Sequence, residues 1–384
     1  MTDFLHKRLG KIEQAGNLRM LSGTVEGVDF WSNDYLGMAR TQVLSKVIEE
    51  QGEGASSGAT GSRSISGDAD EYHAIERMIA QYHGFPAALV FNSGYTANLG
   101  LLSALLKRND VILYDELMHA SCRDGIRLGL AKAFRFDHNQ LKDRLLKNID
   151  KVPAGGQLFV LTEARFSMDG DLAPLAEMAA LCREHDAHLI VDEAHSGGLE
   201  GPGGGGLVAQ LGLQHQVFAS IVTYGKAFGA HGAAVLGCKS LQEYLVNTCR
   251  PFIYTTGPAP AQWKAIAVAY AQLKGHHVGQ SALLAQRIQQ FKEGMAIAGL
   301  SELLTGVDGP IQVISVPGNQ AVMNAEAACR ESGLLVKGIR SPTVAAGSER
   351  LRVCLHAFNT EEEVACLVAI LAKTIGDEVR TDAC

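Results

Sequence analysis

LFVLTEARFSMDGDLAPLAEMAALCREHDAHLIVDEAH, residues 158–195, decides the fold. LFVLTE (158–163) and HLIVDEA (188–194) are short apolar runs, and the stretch 173–185 between them has helical spacing. Runs that are apolar throughout, rather than alternating, predict strands with both faces covered by helices. Strand, helix and strand in this order predict a parallel unit.

The alternation extends both ways. Upstream, a helix over 71–83 precedes AALVF (87–91), and the turn FNSGYTAN leads into a helix ending near Leu106. VILYD (111–115) is followed by a helix from about Ser121, and AFRFD (133–137) by a helix over 139–149. Downstream, FASIVTYG (218–225) and AAVLG (233–237) are the last strands of the region. The expected class is α/β, a large domain with a mostly parallel central sheet flanked by helices.

Helical stretches follow at 239–247 and 259–274, with a soft break at HVGQ (277–280) and a helix on to about Ala298. IQVISV (311–316), a helix at 320–331, LLVKGI (334–339), RLRVCL (350–355) and a helix at 360–375 predict a smaller C-terminal α+β domain. The expected division is an N-terminal segment over 1–45, a large domain over 46–275 and a small domain over 276–384. The N-terminal segment reads as an amphipathic helix (3–15, through Phe4, Leu5, Leu9 and Ile12), a strand over 25–31 and the turn SNDYLG (32–37). The helix would pack either on a partner subunit or on its own chain. GEGASSGATGSRSISGD (52–68) has no periodicity, and a loop that long is usually functional or disordered.

The chain has 384 residues with 34 Lys plus Arg and 41 Asp plus Glu, so the net charge is −7. That balance argues against coating nucleic acid or an anionic membrane. Hydrophobic residues are 47%, enough for a large core. The eight cysteines form no C-x-x-C and read as buried thiols of a reducing compartment. No signal-peptide core and no run long enough to span a bilayer is evident, so a cytoplasmic protein is expected.

Ligands in an α/β sheet sit at the carboxyl ends of strands. After AALVF comes Ser93-Gly94-Tyr95-Thr96, a helix start suited to phosphate. After VILYD comes His119, and after LFVLTE comes FSMDGD with Ser167. HLIV leads into Asp192-Glu193-Ala194-His195, and FASIV into Thr223-Tyr224-Gly225-Lys226. Lys226, set between glycines, is a candidate nucleophile. DEAH also occurs in helicases, but the phosphate-binding G-x-x-x-x-G-K-[ST] is missing. Asp192, Glu193 and His195 could ligate a metal, but no second ligand cluster accompanies them, and none is expected. GPGGGG (201–206) matches G-x-G-x-x-G only formally and reads as a flexible loop; His276-His277 reads as surface. A lysine, an aspartate after the preceding strand and an anion-binding helix start together suit pyridoxal phosphate. A non-catalytic dimer that had kept the fold would not need all of these.

Several further pieces, in order and spacing, give the chain a resemblance to the α-oxoamine synthases, fold-type I enzymes that use pyridoxal 5'-phosphate. They include GSRSISG (61–67), LMHAS (117–121), TEARFSMDGDLAPL (162–175), TYGKAFGAHGAAVLG (223–237), FIYTTGPAP (252–260) and SPTVAAGSERLR (341–352). The resemblance implies Lys226 as Schiff-base lysine, Asp192 as partner of the pyridine nitrogen and His119 as the stacking residue. It implies Ser167 and His195 near the ring hydroxyl, and Gly94, Tyr95, Thr223 and Thr256 at the phosphate. Thr256 would come from the other subunit of a homodimer with shared active sites. Asn33, Thr343 and Arg352 would meet the amino acid or acyl substrate, as would Arg19. The implied reaction is decarboxylative condensation of an amino acid, L-alanine favoured, with a pimeloyl thioester of coenzyme A or acyl carrier protein. The alternative is glycine or serine with another acyl-CoA. Arg165 stands where the family commonly has an apolar or small residue, GPGGGG lacks its usual arginine, and Ala345 replaces a usual proline.

Overall fold

The computed structural model describes residues 2–14, 18, 21, 23–49, 56–305, 308–341 and 343–381. Along the chain the strands are β1 (Val28–Asp29), β2 (Ala87–Phe91), β3 (Val111–Asp115), β4 (Lys132–Phe136), β5 (Leu158–Glu163) and β6 (Ala187–Asp192). They continue with β7 (Val217–Thr223), β8 (Ala233–Gly237), β9 (Ile311–Ser315), β10 (Leu334–Leu335), β11 (Lys337–Ile339) and β12 (Arg350–Cys354). Seven of them form the central sheet in the order β2-β8-β7-β6-β5-β3-β4. β8 alone runs against its neighbours; the pairs from β7 to β4 are parallel. β2, β5 and β8 are buried at every position, as continuous apolar runs require. β4, at the edge, exposes Lys132 and Arg135, charges that discourage further strand pairing.

The parallel strands all end on one side, and the residues that follow them share a crevice. Register places the last residue of β5, Glu163, directly beside the last residue of β6, Asp192. Two adjacent carboxylates thus meet at the mouth of the sheet.

The C-terminal strands form the antiparallel order β11-β12-β9, and β1 pairs in parallel with β10. The strand expected over 25–31 is therefore only two residues long. Asp29 ends it: its Oδ1 accepts from the N–H of Trp31 (3.1 Å) and Ser32 (2.9 Å), which turns the chain into SNDYLG.

One helix, Pro260–Ile297, runs unbroken through HVGQ, so the break expected there is absent and residue 275 lies inside a helix. Gly275 and Gly279 cost about 1 kcal/mol each in a helix. Burial of Trp263, Ile266, Tyr270, Leu273, Leu284 and Phe291 along the same helix offsets that. His277 is buried, not on the surface, with its Nε2 3.0 Å from the Leu199 carbonyl oxygen. Among the cysteines, Cys238 and Cys366 are exposed, against the expectation of buried thiols; the other described ones are buried and free. The helix Asp3–Gln14 leaves Phe4, Leu5, Leu9 and Ile12 exposed, so its apolar stripe finds no cover on its own chain.

The described part of the Gly/Ser-rich loop, 56–68, is anchored by a buried arginine. Arg63 pairs with Glu76 at 2.5 Å and 3.1 Å and with Asp68 at 2.8 Å, and lies over the Trp263 ring. Glu76 also accepts from the N–H of Val90 in β2 at 2.8 Å. Removing one partner of such a pair leaves the other charge buried and uncompensated. Glu76→Ala is expected to cost about 3–5 kcal/mol in urea unfolding; a cost below about 1 kcal/mol would show the pair to be dispensable.

A second charged cluster predicts a pH effect. His138 meets Asp115 at 3.0 Å through Nδ1 and Asp171 at 2.8 Å through Nε2. Burial opposes its charge, but the two carboxylates outweigh burial and push its pKa up to about 10. A raised folded pKa gives a contribution fully present below the unfolded value of about 6.5 and lost as pH rises toward 10. The difference in urea midpoint between wild type and His138→Gln should therefore shrink between about pH 6 and pH 10. A difference that stays constant would remove the cluster from the stability account.

Candidate active site

The crevice at the strand ends holds a cavity of about 290 Å³ lined by Asn33, Gly94, Tyr95, Asn98, His119, Glu163, Ser167, Asp192, His195, Thr223 and Lys226, among others. Ser93 caps the helix Gly94–Leu105 reciprocally: its Oγ accepts from Thr96 N–H (3.2 Å) and its N–H donates to Thr96 Oγ1 (3.1 Å). The helix itself offers the N–H groups of Gly94 and Tyr95 no acceptor, so this end carries a partial positive charge toward the cavity. A Cβ at Gly94 would come within 2.5 Å of Thr223 Cγ2, so only glycine leaves this corner open.

Asp192 is buried. Its Oδ2 accepts from Asn98 Nδ2 at 2.7 Å and its Oδ1 from Ala194 N–H at 2.9 Å. Asn98 also donates to Ser121 Oγ (3.0 Å), which lies 2.8 Å from His119 Nδ1. One amide thus links the carboxylate to the imidazole. His119 caps the helix Ala120–Leu128, and its own N–H donates to Glu163 Oε1 at 2.7 Å. Burial, with Lys226 and Arg123 nearby, lowers the His119 pKa against the pull of Asp192.

Lys226 sits in a turn after β7 held by Tyr224 and Phe228, both fully buried. Gly229 completes the turn at φ +63°, where a Cβ would meet Ala39 N at 2.2 Å. Burial pushes the Lys226 ammonium down, and Asp192 and Glu163 pull it back up. Burial pushes the Glu163 carboxyl up, reinforced by Asp192.

His195 Nδ1 lies 2.8 Å from the Tyr35 hydroxyl, which reaches Asn33 Oδ1 at 3.0 Å. Burial and then the Lys226 and Arg352 charges hold the His195 pKa well below its ordinary value. Arg352 stands behind the cavity wall. It donates to Ser167 O (2.7 Å), Cys354 Sγ (2.9 Å) and Asn33 Oδ1 (3.0 Å).

Not every candidate joins this group. Thr256 is exposed and offers its carbonyl to Asn92 Nδ2 (2.8 Å), and Thr343 is exposed on the 341–348 segment; neither lines the cavity. Arg19 lies outside the described residues. Glu193 turns away from Asp192 and His195, so the three do not converge on a metal. Its carboxylate accepts from Val208 N–H (2.9 Å), Ser196 Oγ (3.0 Å) and Ser220 Oγ (3.0 Å). GPGGGG is not a flexible loop. Gly204, Gly205 and Gly206 are buried, and at Gly206 (φ +94°) a Cβ would touch the Glu193 carboxylate at 2.5 Å. Arg165 is a buried tie: it pairs with Glu200 and donates to the carbonyls of Gly170 (2.5 Å) and Asp308 (3.3 Å).

Glu163 and Asn98 are cavity residues missed in the sequence. Glu163 closes the run LFVLTE and reads there as part of the strand, and only the β5–β6 register sets it beside Asp192. Asn98 lies four residues after Gly94, hence on the same helix face, and that spacing could have found it.

The donor set fits pyridoxal phosphate. A lysine amine, a buried carboxylate and an uncapped helix N-terminus would hold an aldehyde, a pyridine nitrogen and a phosphate.

The family profile described as "Aminotransferase class I and II" matches residues 25–371. The 8-amino-7-oxononanoate synthase of Alkalilimnicola ehrlichii is 42% identical over 354 residues, covering 91% of this chain and 88% of that protein. Among solved structures, serine palmitoyltransferase with PLP superposes with a TM-score of 0.86 at 26% identity, covering 98% of each chain. The 8-amino-7-oxononanoate synthase of Francisella tularensis superposes with a TM-score of 0.76 at 29% identity, covering 92% of this chain and 99% of that one.

Proposed function

The chain belongs to the aminotransferase class I and II family, among its α-oxoamine synthases, and from that premise we propose that it is a pyridoxal-phosphate-dependent acyltransferase of biotin biosynthesis. It condenses L-alanine with a pimeloyl thioester, releasing CO₂ and free thiol and giving 8-amino-7-oxononanoate. The observation that carries this reading is the gathering of Lys226, Asp192, His119 and the Gly94 helix start in one cavity. The 42% identity over 91% of the chain supports the substrate assignment.

When bound, pyridoxal phosphate supplies a protonated ring that stabilises negative charge on the amino acid's α-carbon. Lys226 would hold the cofactor and, once displaced, remove the α-proton. Its lowered pKa increases the neutral fraction available for that task. Asp192 would keep the ring nitrogen protonated, with Asn98 and Ala194 N–H orienting its oxygens. His119 would cover the ring, Ser167 and His195 would flank its hydroxyl, and Gly94, Tyr95 and Thr223 would take the phosphate. Arg352, with Asn33, would meet the substrate carboxylate as a charge-assisted donor.

Thr256, exposed on a single chain, would complete the phosphate site of a second copy. The uncovered apolar stripe of the Asp3–Gln14 helix supports that homodimer. Free thiols support a cytoplasmic location. Arg19 and Thr343 would contact the substrate, and coenzyme A or acyl carrier protein would carry the thioester. Among the described residues no helix is long and apolar enough to cross a membrane.

A second reading, serine or glycine with another acyl-CoA, draws on the higher TM-score to serine palmitoyltransferase, 0.86 against 0.76. The visible spectrum of the cofactor-loaded protein separates the two. L-alanine should perturb it at lower concentration than glycine or L-serine. A stronger response to serine or glycine would move the function to that relative. A protein that stays colourless after addition of pyridoxal phosphate would overturn the cofactor.

A further inference from the structure

Tyr35 is fully buried between two groups to which the preceding reading gives separate tasks. On one side, its hydroxyl is 3.0 Å from Asn33 Oδ1, which also accepts from Arg352 Nη2 at 3.0 Å. On the other, it is 2.8 Å from His195 Nδ1. Proton counting settles the direction of this chain. A guanidinium only donates, so the Asn33 atom facing it is the amide oxygen. An oxygen 3.0 Å from the Tyr35 hydroxyl must receive that hydroxyl's single proton, because two oxygens at that distance with no proton between them repel. Burial pushes the Tyr35 pKa far up, so the proton is always present. With its proton committed to Asn33, the hydroxyl can only accept from His195. Burial and the neighbouring Lys226, Arg352, His119 and Arg165 keep the His195 ring neutral, so it carries one proton, on Nδ1.

We propose that Tyr35 is a positioning residue. It fixes His195 as the Nδ1–H tautomer, with Nε2 a bare acceptor, and makes that tautomer depend on the Arg352–Asn33 pair. The consequence rests on the reading of the site above. A bare Nε2 on a residue lining the cavity would accept a hydrogen bond from a ring hydroxyl rather than donate one to it. Displacement of Asn33 by an amino-acid carboxylate would free the Tyr35 hydroxyl to donate to His195 Nδ1, which requires the ring proton to move from Nδ1 to Nε2 and so favours the opposite tautomer. The site that receives the substrate carboxylate is thereby wired to the residue assigned to the cofactor hydroxyl.

The test is long-range ¹H–¹⁵N correlation on [¹⁵N]histidine-labelled protein loaded with pyridoxal phosphate. The His195 signals are assigned by their loss in His195→Asn. Wild type should show Nδ1 protonated and Nε2 with the shift of a lone-pair nitrogen. Tyr35→Phe, which keeps the buried ring, and Asn33→Ala, which frees the Tyr35 proton, should each lose the Nδ1–H pattern. A wild-type His195 protonated at Nε2 overturns the proposal without any variant having to fold. So does an Nδ1–H pattern that persists in both variants. Failure of the functional reading would look different: no spectral response to L-alanine, with the His195 tautomer as stated.

Discussion

Lys226→Ala loses turnover by at least about 10³-fold, the range spanned by removal of a positioned proton-transfer group. The loss should be deeper than for an ordinary base, because the same side chain would hold the cofactor. The local fold makes this test clean. The turn that presents Lys226 is fixed by Tyr224, Phe228 and Gly229 rather than by the lysine, so the variant should fold. Lys226→Arg gives a second reading, since it keeps the charge beside Asp192 and Glu163 but cannot shed its proton at neutral pH. It should be as inactive as the alanine variant. Retention of a tenth of wild-type kcat by either variant contradicts the assignment.

Asp192→Asn is the second large effect, an expected fall of about 10² to 10³ in kcat, comparable to removing a preorganised electrostatic contact. The substitution is nearly isosteric and buried. An amide can still accept from Asn98 Nδ2 or Ala194 N–H, but not from both, because one of its two positions becomes a donor. The carboxylate would hold a ring nitrogen in its protonated form, and a neutral amide cannot. Loss of this charge should also leave Lys226 with one opposite charge fewer in the cavity. A kcat within about threefold of wild type would show that Asp192 does not serve the ring nitrogen.

Much of this arrangement is legible in the sequence because parallel strands buried on both faces must be short apolar runs. Finding each run locates its carboxyl end, and Gly94, His119, Ser167, Asp192 and Lys226 follow directly. What stays hidden is what depends on contacts across the chain. Glu163 meets Asp192 only through the β5–β6 register. Arg63 gives no sign in GSRSISG that it is buried against Glu76 and Trp263. GPGGGG suggests freedom, yet its positive-φ glycines are closely packed, Gly206 against Glu193 and Gly204 against the Gly198 backbone. HVGQ suggests a helix break because glycine propensity is a local quantity, while the buried face of Pro260–Ile297 is a tertiary one. Tyr35 sits in SNDYLG, a piece readable only as a turn. Its role arises from contacts with His195 160 residues away and, through Asn33, with Arg352 319 residues from that asparagine.

The condensation can be assayed directly. Purified protein with pyridoxal phosphate, L-alanine and a pimeloyl thioester should release CO₂ and free thiol in equal amounts and form 8-amino-7-oxononanoate, with glycine and L-serine turned over far more slowly. Thiol release without CO₂, or turnover of glycine or L-serine in preference to L-alanine, would contradict it.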